Sequence, residues 1–198
     1  VMEDPIRKVL GLTQEKFESI LGGREKLGDL TGSKAITAAL SKINVDTAIE
    51  QAREEIRSGR KSGRDAAVKK LGFFMACKKE NIHPKDWIVN AAPVLPPIFR
   101  PVSIMQGNGG QLVADVNLLY KDLFDANEVL KELHGQVADT SDERLNLYNS
   151  FKAVVGLGDP VNVKNQEKKV TGLLGQVFGN SPKTSVVQQK LIGTPVNT

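Results

Sequence analysis

Four prolines within nine residues impose the strongest constraint on how this chain can fold. They are Pro93, Pro96, Pro97 and Pro101, in the sequence Pro-Val-Leu-Pro-Pro-Ile-Phe-Arg-Pro. Proline has no backbone N–H to donate inside a helix or a central strand, and it pushes the preceding residue toward extended geometry. The stretch is therefore predicted to be a stiff, extended strap that carries one basic side chain, Arg100.

The sequence before the strap has the apolar periodicity of amphipathic helices. Thr13 and Asp46 are residue types that cap helix N-termini, because their side-chain oxygens accept hydrogen bonds from free backbone N–H groups. The helices are predicted from the Thr13 cap to Leu21, over 33–43, from the Asp46 cap onward, and over 65–79 with Ala67, Leu71, Phe74 and Met75 on the buried side. Residues 1–92 are thus expected to form a helical base.

A glycine-rich loop, Met105-Gln-Gly-Asn-Gly-Gly110, follows the strap. Its glycines and amides predict a flexible, projecting loop. A phosphate-binding loop would need Lys-Ser or Lys-Thr after its last glycine, whereas Gln111-Leu112 stand there. The strap and this loop together form a second predicted segment, 93–111.

A sustained heptad pattern comes next. Its apolar residues follow steps of four and three over three heptads, the spacing of a coiled-coil seam, at Leu112, Val116, Leu119, Leu123, Ala126, Leu130 and Leu133. Asp139-Thr-Ser-Asp142 supplies a turn and a new helix cap, and a return arm carries Leu147, Phe151 and Val154. We therefore predict an antiparallel coiled-coil hairpin over 112–156.

The charges are unevenly distributed around a net charge of +4. Residues 112–156 carry four basic and eight acidic side chains, whereas 1–111 carry 18 and 13, and 157–198 carry five and two. An acidic hairpin is an unfavourable surface for phosphates. The basic flanks fit either nucleic acid or an ordinary solvated surface, and the charge balance leaves both readings open.

Several function classes lack the residues that they need. Because Cys77 is the one cysteine, the chain cannot form an internal disulfide. Cys77 and His83 are too isolated to be a catalytic pair or metal ligands, and Cys77 is expected to be a buried thiol. No apolar run approaches the roughly 20 residues that span a bilayer, and we expect a cytoplasmic protein. The sequence shows no nucleophile, set of metal ligands or paired carboxylates of the kind that a small-molecule enzyme would need. Neither end looks like a natural terminus, so the sequence is expected to continue on both sides.

The strap, the loop and the hairpin, in this order, resemble the N-terminal clamp region of the largest subunit, β′, of bacterial-type multisubunit RNA polymerase. The family's strap, Val-Leu-Pro-Val-Leu-Pro-Pro-(Asp/Glu)-Leu-Arg-Pro, is similar to residues 92–101. Its Gly-Gly-Arg-Phe and Ser-Asp-Leu-Asn-Asp-Leu-Tyr-Arg-Arg are matched by Gly-Gly-Gln-Leu at 109–112 and Ala-Asp-Val-Asn-Leu-Leu-Tyr-Lys-Asp at 114–122. Residues 189–196 resemble the family's switch, Gln-Asn-Leu-Leu-Gly-Lys-Arg-Val, and 32–40 resemble its Gly-Ala-Glu-Ala-Ile-Lys-(Glu/Ala)-Leu-Leu.

This resemblance implies a clamp segment that guides template DNA and the RNA–DNA hybrid, together with the other polymerase subunits. The lid would be 104–111, and the rudder about 158–169. Nucleic-acid contacts are then expected at Arg100, Gln111, Lys164, Lys168, Lys169, Lys183 and Lys190. A σ-like initiation factor would dock on the hairpin at Asp122, Asp125, Ala126, Asn127, Val129, Lys131 and Glu132.

The family's catalytic site is a Mg²⁺-binding Asn-Ala-Asp-Phe-Asp-Gly-Asp motif further along the subunit, and no such cluster stands in this sequence. The segment is therefore expected to have no catalytic residue, metal site or cofactor of its own. Mg²⁺ is expected in the complete polymerase.

The hairpin also departs from the family. The family has arginines one residue before and two residues after the asparagine that matches Asn127, where this chain has Ala126 and Val129, and Glu132 replaces a basic residue. Without these guanidinium groups, a standard σ factor is not expected to bind in the usual way. The family's lid arginine is Gln111 here. We interpret these changes as a strongly diverged polymerase, of the kind that a large bacteriophage could encode, with its own initiation factor.

The fold class predicted is mainly α: a helical clamp body, a protruding coiled-coil hairpin and extended Pro/Gly-rich loops. Residues 157–198 would form a rudder-like loop and a switch-like segment. The alternative function is a free-standing coiled-coil adaptor that presents an acidic hairpin to a protein partner. The strap, the lid-like loop and the switch-like ending distinguish the two, because an adaptor has no reason to possess them.

Overall fold

A computed structural model describes residues 3–59, 61–104, 111–136 and 139–179, with the side chains of 61 and 62 excepted. The described chain is mainly helical, as predicted, and contains one two-stranded sheet. The chain divides into two compact units, Val1–Asn90 and Ala91–Thr198.

The first unit is helical throughout its described part. Its elements are α1 (Glu3–Leu10), α2 (Gln14–Gly22), α3 (Gly32–Ser41), α4 (Val45–Ser58), α5 (Lys61–Glu80) and a 3₁₀ turn (Pro84–Trp87). Its buried apolar side chains include Ile6, Phe17, Ile20, Ile36, Leu40, Ile49, Ala52, Ala67 and Phe74. These residues recur at helical spacing, so one face of each helix faces the core.

Of the two helix caps predicted in the first unit, one is confirmed and the other is wrong. The Thr13 side chain accepts a hydrogen bond from the backbone N–H of Lys16 at 3.3 Å. The cap of α4 is Asn44 rather than Asp46, since the Asn44 side chain accepts bonds from the N–H groups of Asp46 and Thr47 at 3.0 and 3.2 Å. Asp46 lies in the first turn of the helix, where its carboxylate pairs with Lys78 at 2.6 Å.

The long helix α5 differs from the prediction in its first residue and in one residue of its predicted buried side. It begins at Lys61 rather than at Asp65. Met75 is 45% exposed, contrary to the prediction, whereas Ala67, Phe74 and Cys77 are buried. Burial raises the pKa of the Cys77 thiol, and the nearby Asp86 carboxylate adds to this effect. The expected buried thiol is thus confirmed.

The second unit begins with the strap and ends in short helices. Its elements are a 3₁₀ turn (Pro97–Phe99), β1 (Val102–Ile104), β2 (Gln111–Val113), α6 (Val116–Leu133), α7 (Ser141–Val155), α8 (Val163–Glu167) and α9 (Leu173–Phe178). Its buried core consists of Leu95, Val116, Leu119, Tyr120, Ala153, Val154 and Val170. Leu95 therefore inserts the strap into the core that α6 and α7 form.

Two expectations for this unit are corrected. The strap is not extended throughout, because Pro97–Phe99 form a 3₁₀ turn. Proline is tolerated there, since the first residues of a helical turn have no N–H partner to lose. Leu112 does not belong to the helical seam: it lies in β2, is 65% exposed, and α6 begins only at Val116.

The pairing of α6 with α7 agrees with the predicted hairpin from Val116 onward. Val116, Leu119 and Ala126 are buried on α6, and Val154 is fully buried on α7. Seven residues connect the two helices. Because this connection is short, the two helices run antiparallel. Gly156 ends α7 in the left-handed region, with a φ of 93°.

The sequence did not predict α8 and α9. Asn162 caps α8 by accepting a hydrogen bond from the backbone N–H of Lys164 at 3.0 Å. Gly172 precedes α9 and lies so close to the end of α7 that a Cβ there would clash with the backbone of Ala153 and Gly156. The absence of a side chain at this position lets α9 begin directly beside the end of α7.

Candidate nucleic-acid and factor interface

Tyr120 holds the strap against α6. Its hydroxyl accepts a hydrogen bond from the backbone N–H of Leu95 at 3.0 Å and donates one to the carbonyl oxygen of Pro93 at 3.2 Å. The ring itself is buried in the core of the second unit. Both strap groups thus obtain hydrogen-bond partners although the strap has no regular secondary structure at these residues.

Arg100 and Asn117 form the second contact between the strap and α6. Arg100 Nε donates to the Leu95 carbonyl oxygen at 2.7 Å, and Nη1 donates to Asn117 Oδ1 at 3.2 Å. Asn117 Nδ2 in turn donates to the Arg100 carbonyl oxygen at 3.0 Å. The guanidinium carbon lies 5.7 Å from the centre of the Tyr120 ring, within range of a cation–π interaction.

These three residues, Arg100, Asn117 and Tyr120, are called the strap anchor below. The guanidinium makes internal contacts through Nε and Nη1, two of the five N–H bonds that an arginine has to donate. The contact between Arg100 and a phosphate stays a prediction. Asn117 and Tyr120 belong to the motif at 114–122, but the sequence alone predicts a role for neither. Their spacing of three residues, which places both on one side of a helix, is the signal that could have suggested a shared contact.

The strands β1 and β2 form the base of the lid-like loop. They pair antiparallel with Val102 opposite Val113, Ser103 opposite Leu112, and Ile104 opposite Gln111. Gln111, a predicted nucleic-acid contact, is exposed at the end of β2 nearest the loop. The loop, 105–110, and two further predicted contacts, Lys183 and Lys190, lie outside the described residues.

The predicted factor-binding residues are not equally available on α6. Asp125, Val129, Lys131 and Glu132 are exposed, and Asp122 and Asn127 are partly buried. Ala126 is only 6% exposed because it faces the inside of the helical pair. It therefore presents almost no side-chain surface to a partner, which departs from its predicted role.

A groove brings two of the predicted contact sets together. It lies between α6 and α8, has a volume of about 540 Å³, and is lined by Lys164 and Lys168 on one side and Asp122 and Asp125 on the other. Asn165 Nδ2 donates to Asp122 Oδ2 across it at 2.7 Å, which ties α8 to α6. Predicted nucleic-acid and factor contacts are thus neighbours here.

Two acidic side chains of this groove, Asp122 and Asp125, have hydrogen-bond partners within the chain, and a third, Glu167, also lines it. Asp125 accepts a hydrogen bond from Lys121 one helical turn earlier, and this bond raises the pKa of the Lys121 ammonium. Asp122 accepts from Asn165. Lys164, Lys168 and Lys169, by contrast, are exposed and form no ion pair with another described residue. Lys164 and Lys168 are thus the cations of the groove that have no acidic partner among the described residues, and Lys169 follows directly after them in the chain.

Among the described residues, no group of three His, Cys, Asp or Glu side chains is placed to hold a metal ion. None of the helices described is long and apolar enough to cross a membrane.

The curated proteins that this chain is similar to include the same subunit from several bacteria. The chain is 33% identical over 132 residues to the β′ subunit of the DNA-directed RNA polymerase of Colwellia psychrerythraea, which covers 64% of this chain and 9% of that subunit. It is 33% identical over 140 residues to the β′ subunit of Saccharopolyspora erythraea, covering 70% of this chain and 9% of that subunit. It is 29% identical over 136 residues to the β′ subunit of Symbiobacterium thermophilum, covering 66% of this chain and 11% of that subunit.

The match thus includes about two-thirds of this chain but only about a tenth of the length of the curated relatives. No protein-family model matches the chain.

Proposed function

The chain is related to the β′ subunits of bacterial DNA-directed RNA polymerase, and from this relationship we propose that it is a clamp segment of a β′-like subunit. In this proposal the strap carries the chain to the lid-like loop, which lies beside the RNA–DNA hybrid. The segment around α8 contacts nucleic acid, and α6 with α7 docks a σ-like initiation factor. The proposed location is the cytoplasm of a bacterium or of a bacteriophage-infected bacterium.

The strap anchor is the observation that best supports this role. Arg100, Asn117 and Tyr120 are residues on which the resemblance to the polymerase clamp rests, and their hydrogen bonds join the strap to α6 across 17 to 27 residues of sequence. An element that guides nucleic acid has to be held in a fixed position relative to its support. A free-standing adaptor has no such requirement, and the β′ relatives do not favour that alternative.

The nucleic-acid contacts in this proposal are Lys164, Lys168 and Lys169, with Lys183 and Lys190 further along the chain. The first three are exposed, and the left-handed backbone at Lys169, with a φ of 53°, ends the turn that follows α8. Exposed ammonium groups without acidic partners can replace the counterions of a phosphate backbone. Gln111 is uncharged and would contact sugar or base edges.

Replacing Lys164, Lys168 and Lys169 together with alanine is expected to weaken binding of the assembled polymerase to a template–hybrid scaffold. Each lost phosphate contact should reduce the slope of log affinity against log salt by about 0.7–0.9. Affinity measured at several salt concentrations gives this slope.

The matched control replaces three exposed lysines of the first unit, Lys16, Lys26 and Lys34, and removes the same charge. We expect it to leave the slope nearly unchanged. An equal loss in both variants would show that only net charge matters, and would contradict a nucleic-acid site at α8.

The proposed factor dock is acidic and partly apolar. Exposed Asp125 and Glu132 flank Val129, which is 47% exposed. Neither the buried Ala126 nor Val129 can supply the paired N–H donors of an arginine. We therefore propose that the polymerase uses its own initiation factor, in keeping with a diverged, bacteriophage-encoded enzyme.

A bacterial housekeeping σ factor is accordingly expected to bind the assembled polymerase weakly. Replacing Val129 with arginine should increase its affinity, because the position is exposed and the guanidinium restores one donor group of the related subunits; Val129→Leu is the control without charge. Titration calorimetry or fluorescence anisotropy measures the affinity. Tight, salt-sensitive binding to the unchanged protein would contradict the proposal.

Nucleotide addition is proposed to take place elsewhere in the complete polymerase. In this proposal Mg²⁺ is bound by other parts of the complete polymerase, and this segment itself takes no catalytic step. The remaining parts of the β′-like subunit, and a β-like subunit, are the proposed protein partners.

A further inference from the structure

We propose that the outer surface of the strap and of the β1–β2 pair docks into an uncharged, apolar protein surface elsewhere in the polymerase. This surface, called the apolar lid surface here, consists of Val94, Ile98, Phe99, Val102, Ile104 and Leu112. The identity of the partner rests on the proposed function, whereas the docking surface itself rests on the exposure, size and charge of these segments.

The exposure of these side chains is unusual. Ile98 is 80% exposed, Ile104 73%, Leu112 65%, Val94 61% and Val102 56%. Single exposed apolar residues are common on protein surfaces, but a concentration of large ones marks an interaction site. Leu95, within the same stretch, is buried, so the strap has one side in the core and the other in solvent.

The strand pair exposes apolar side chains on both of its faces. Residues directly opposite each other share a face, and neighbours along a strand alternate between faces. Val102 and Ile104 therefore lie on one face, and Leu112 with its partner Ser103 lies on the other. A ribbon with this distribution fits into a cleft better than onto a flat surface.

The size of the strand pair leads to the same inference. Each strand has only three residues, and all but Val113 are exposed. A two-stranded hairpin is marginally stable at best when water surrounds it. Burial of these apolar side chains against a partner would supply the missing stabilisation, because it removes apolar surface from water.

Charge favours protein over nucleic acid as the occupant. Among residues 93–113 the one charged side chain is Arg100, and its guanidinium donates to Leu95 and Asn117. The surface thus offers almost no cation that could replace the counterions of a phosphate backbone. Phe99 is its one aromatic residue, so stacking of successive bases has little support.

The length of the relatives indicates where the partner lies. The curated β′ subunits are about ten times longer than the part that matches this chain. Most of such a subunit therefore lies outside the 198 residues and can provide the cleft.

The test is photo-crosslinking in the assembled polymerase on a template–hybrid scaffold. A photoreactive benzoylphenylalanine replaces Ile104, and Asp29, an exposed residue of the first unit, is the control position. We expect Ile104 to crosslink to a peptide from another part of the polymerase, identified by mass spectrometry, and the control to give a different product or none. Crosslinks only to RNA or DNA, only to a second copy of this chain, or to nothing would overturn the proposal.

A second variant separates this inference from the proposed function. Ile98→Ser with Ile104→Ser should weaken association with the remaining polymerase by about tenfold or more, with little dependence on salt. The variant lacking Lys164, Lys168 and Lys169 should assemble normally. Unchanged assembly of the serine variant would overturn the docking surface, whereas a crosslink to a protein outside any polymerase would overturn the stated partner together with the proposed function.

Discussion

Replacing Leu119 with alanine is expected to lower the free energy of unfolding of the second unit by about 2–5 kcal/mol. Leu119 is 1% exposed and belongs to the core that Val116, Tyr120 and Val154 form. The loss combines the transfer free energy of the removed atoms with the cost of the cavity that remains. This core also holds Leu95, so the strap should loosen with it.

Hydrogen exchange of the backbone amides of α6 and α7 is the suitable measurement. Trp87, the one tryptophan of the chain, lies in the first unit, so tryptophan fluorescence would not report this unfolding. Leu112→Ala is the matched control, because the same atoms are removed from a side chain that is 65% exposed. We expect it to change stability by no more than about 0.5 kcal/mol. Equal effects at both positions would contradict the seam that begins at Val116.

Replacing Arg100 with alanine is expected to free the strap from α6. The change removes the bonds to the Leu95 carbonyl oxygen and to Asn117, as well as the contact with the Tyr120 ring. Hydrogen bonds from charged groups contribute about 1.5–3 kcal/mol, so the local opening free energy should fall by an amount of this order. The exchange rate of the Leu95 amide, which bonds to Tyr120, measures this opening.

Arg100→Lys distinguishes the anchoring role from a contact with phosphate. Lysine keeps the charge but cannot donate to two acceptors from one planar group. If anchoring dominates, the lysine variant should exchange the Leu95 amide almost as fast as the alanine variant does. If a phosphate contact dominates, the lysine variant should keep most of the nucleic-acid affinity, and its Leu95 amide should still exchange slowly. The second result would contradict the anchoring role.

The sequence was most informative where one local rule decides the outcome. Apolar periodicity predicted α2 to α5 and the pairing of α6 with α7, because each helix needs one buried face. The cap of α4 shows the limit of such rules. Asn44 and Asp46 are both good caps, and the choice depends on the extended backbone at Asn44, which composition does not reveal.

The candidate site was less predictable because its contacts join distant parts of the chain. The bond between Asp122 and Asn165 spans 43 residues, and that between Tyr120 and Leu95 spans 25. The resemblance to a family placed Ala126 among the contact residues, whereas packing against α7 buries it. Pattern alone also could not assign Leu112 to a strand, since its spacing from Val116 fits the heptads equally well.

The prolines of the strap also affect the unfolded chain. Each proline ring fixes one backbone dihedral before folding begins, so a segment with four of them loses less conformational entropy when it becomes ordered. The few polar contacts made by Arg100, Asn117 and Tyr120 therefore oppose a smaller entropic cost than they would in a flexible linker. A short segment with little regular secondary structure can in this way remain ordered with few stabilising contacts. Replacing its prolines with alanine should therefore loosen it although these polar contacts can still form.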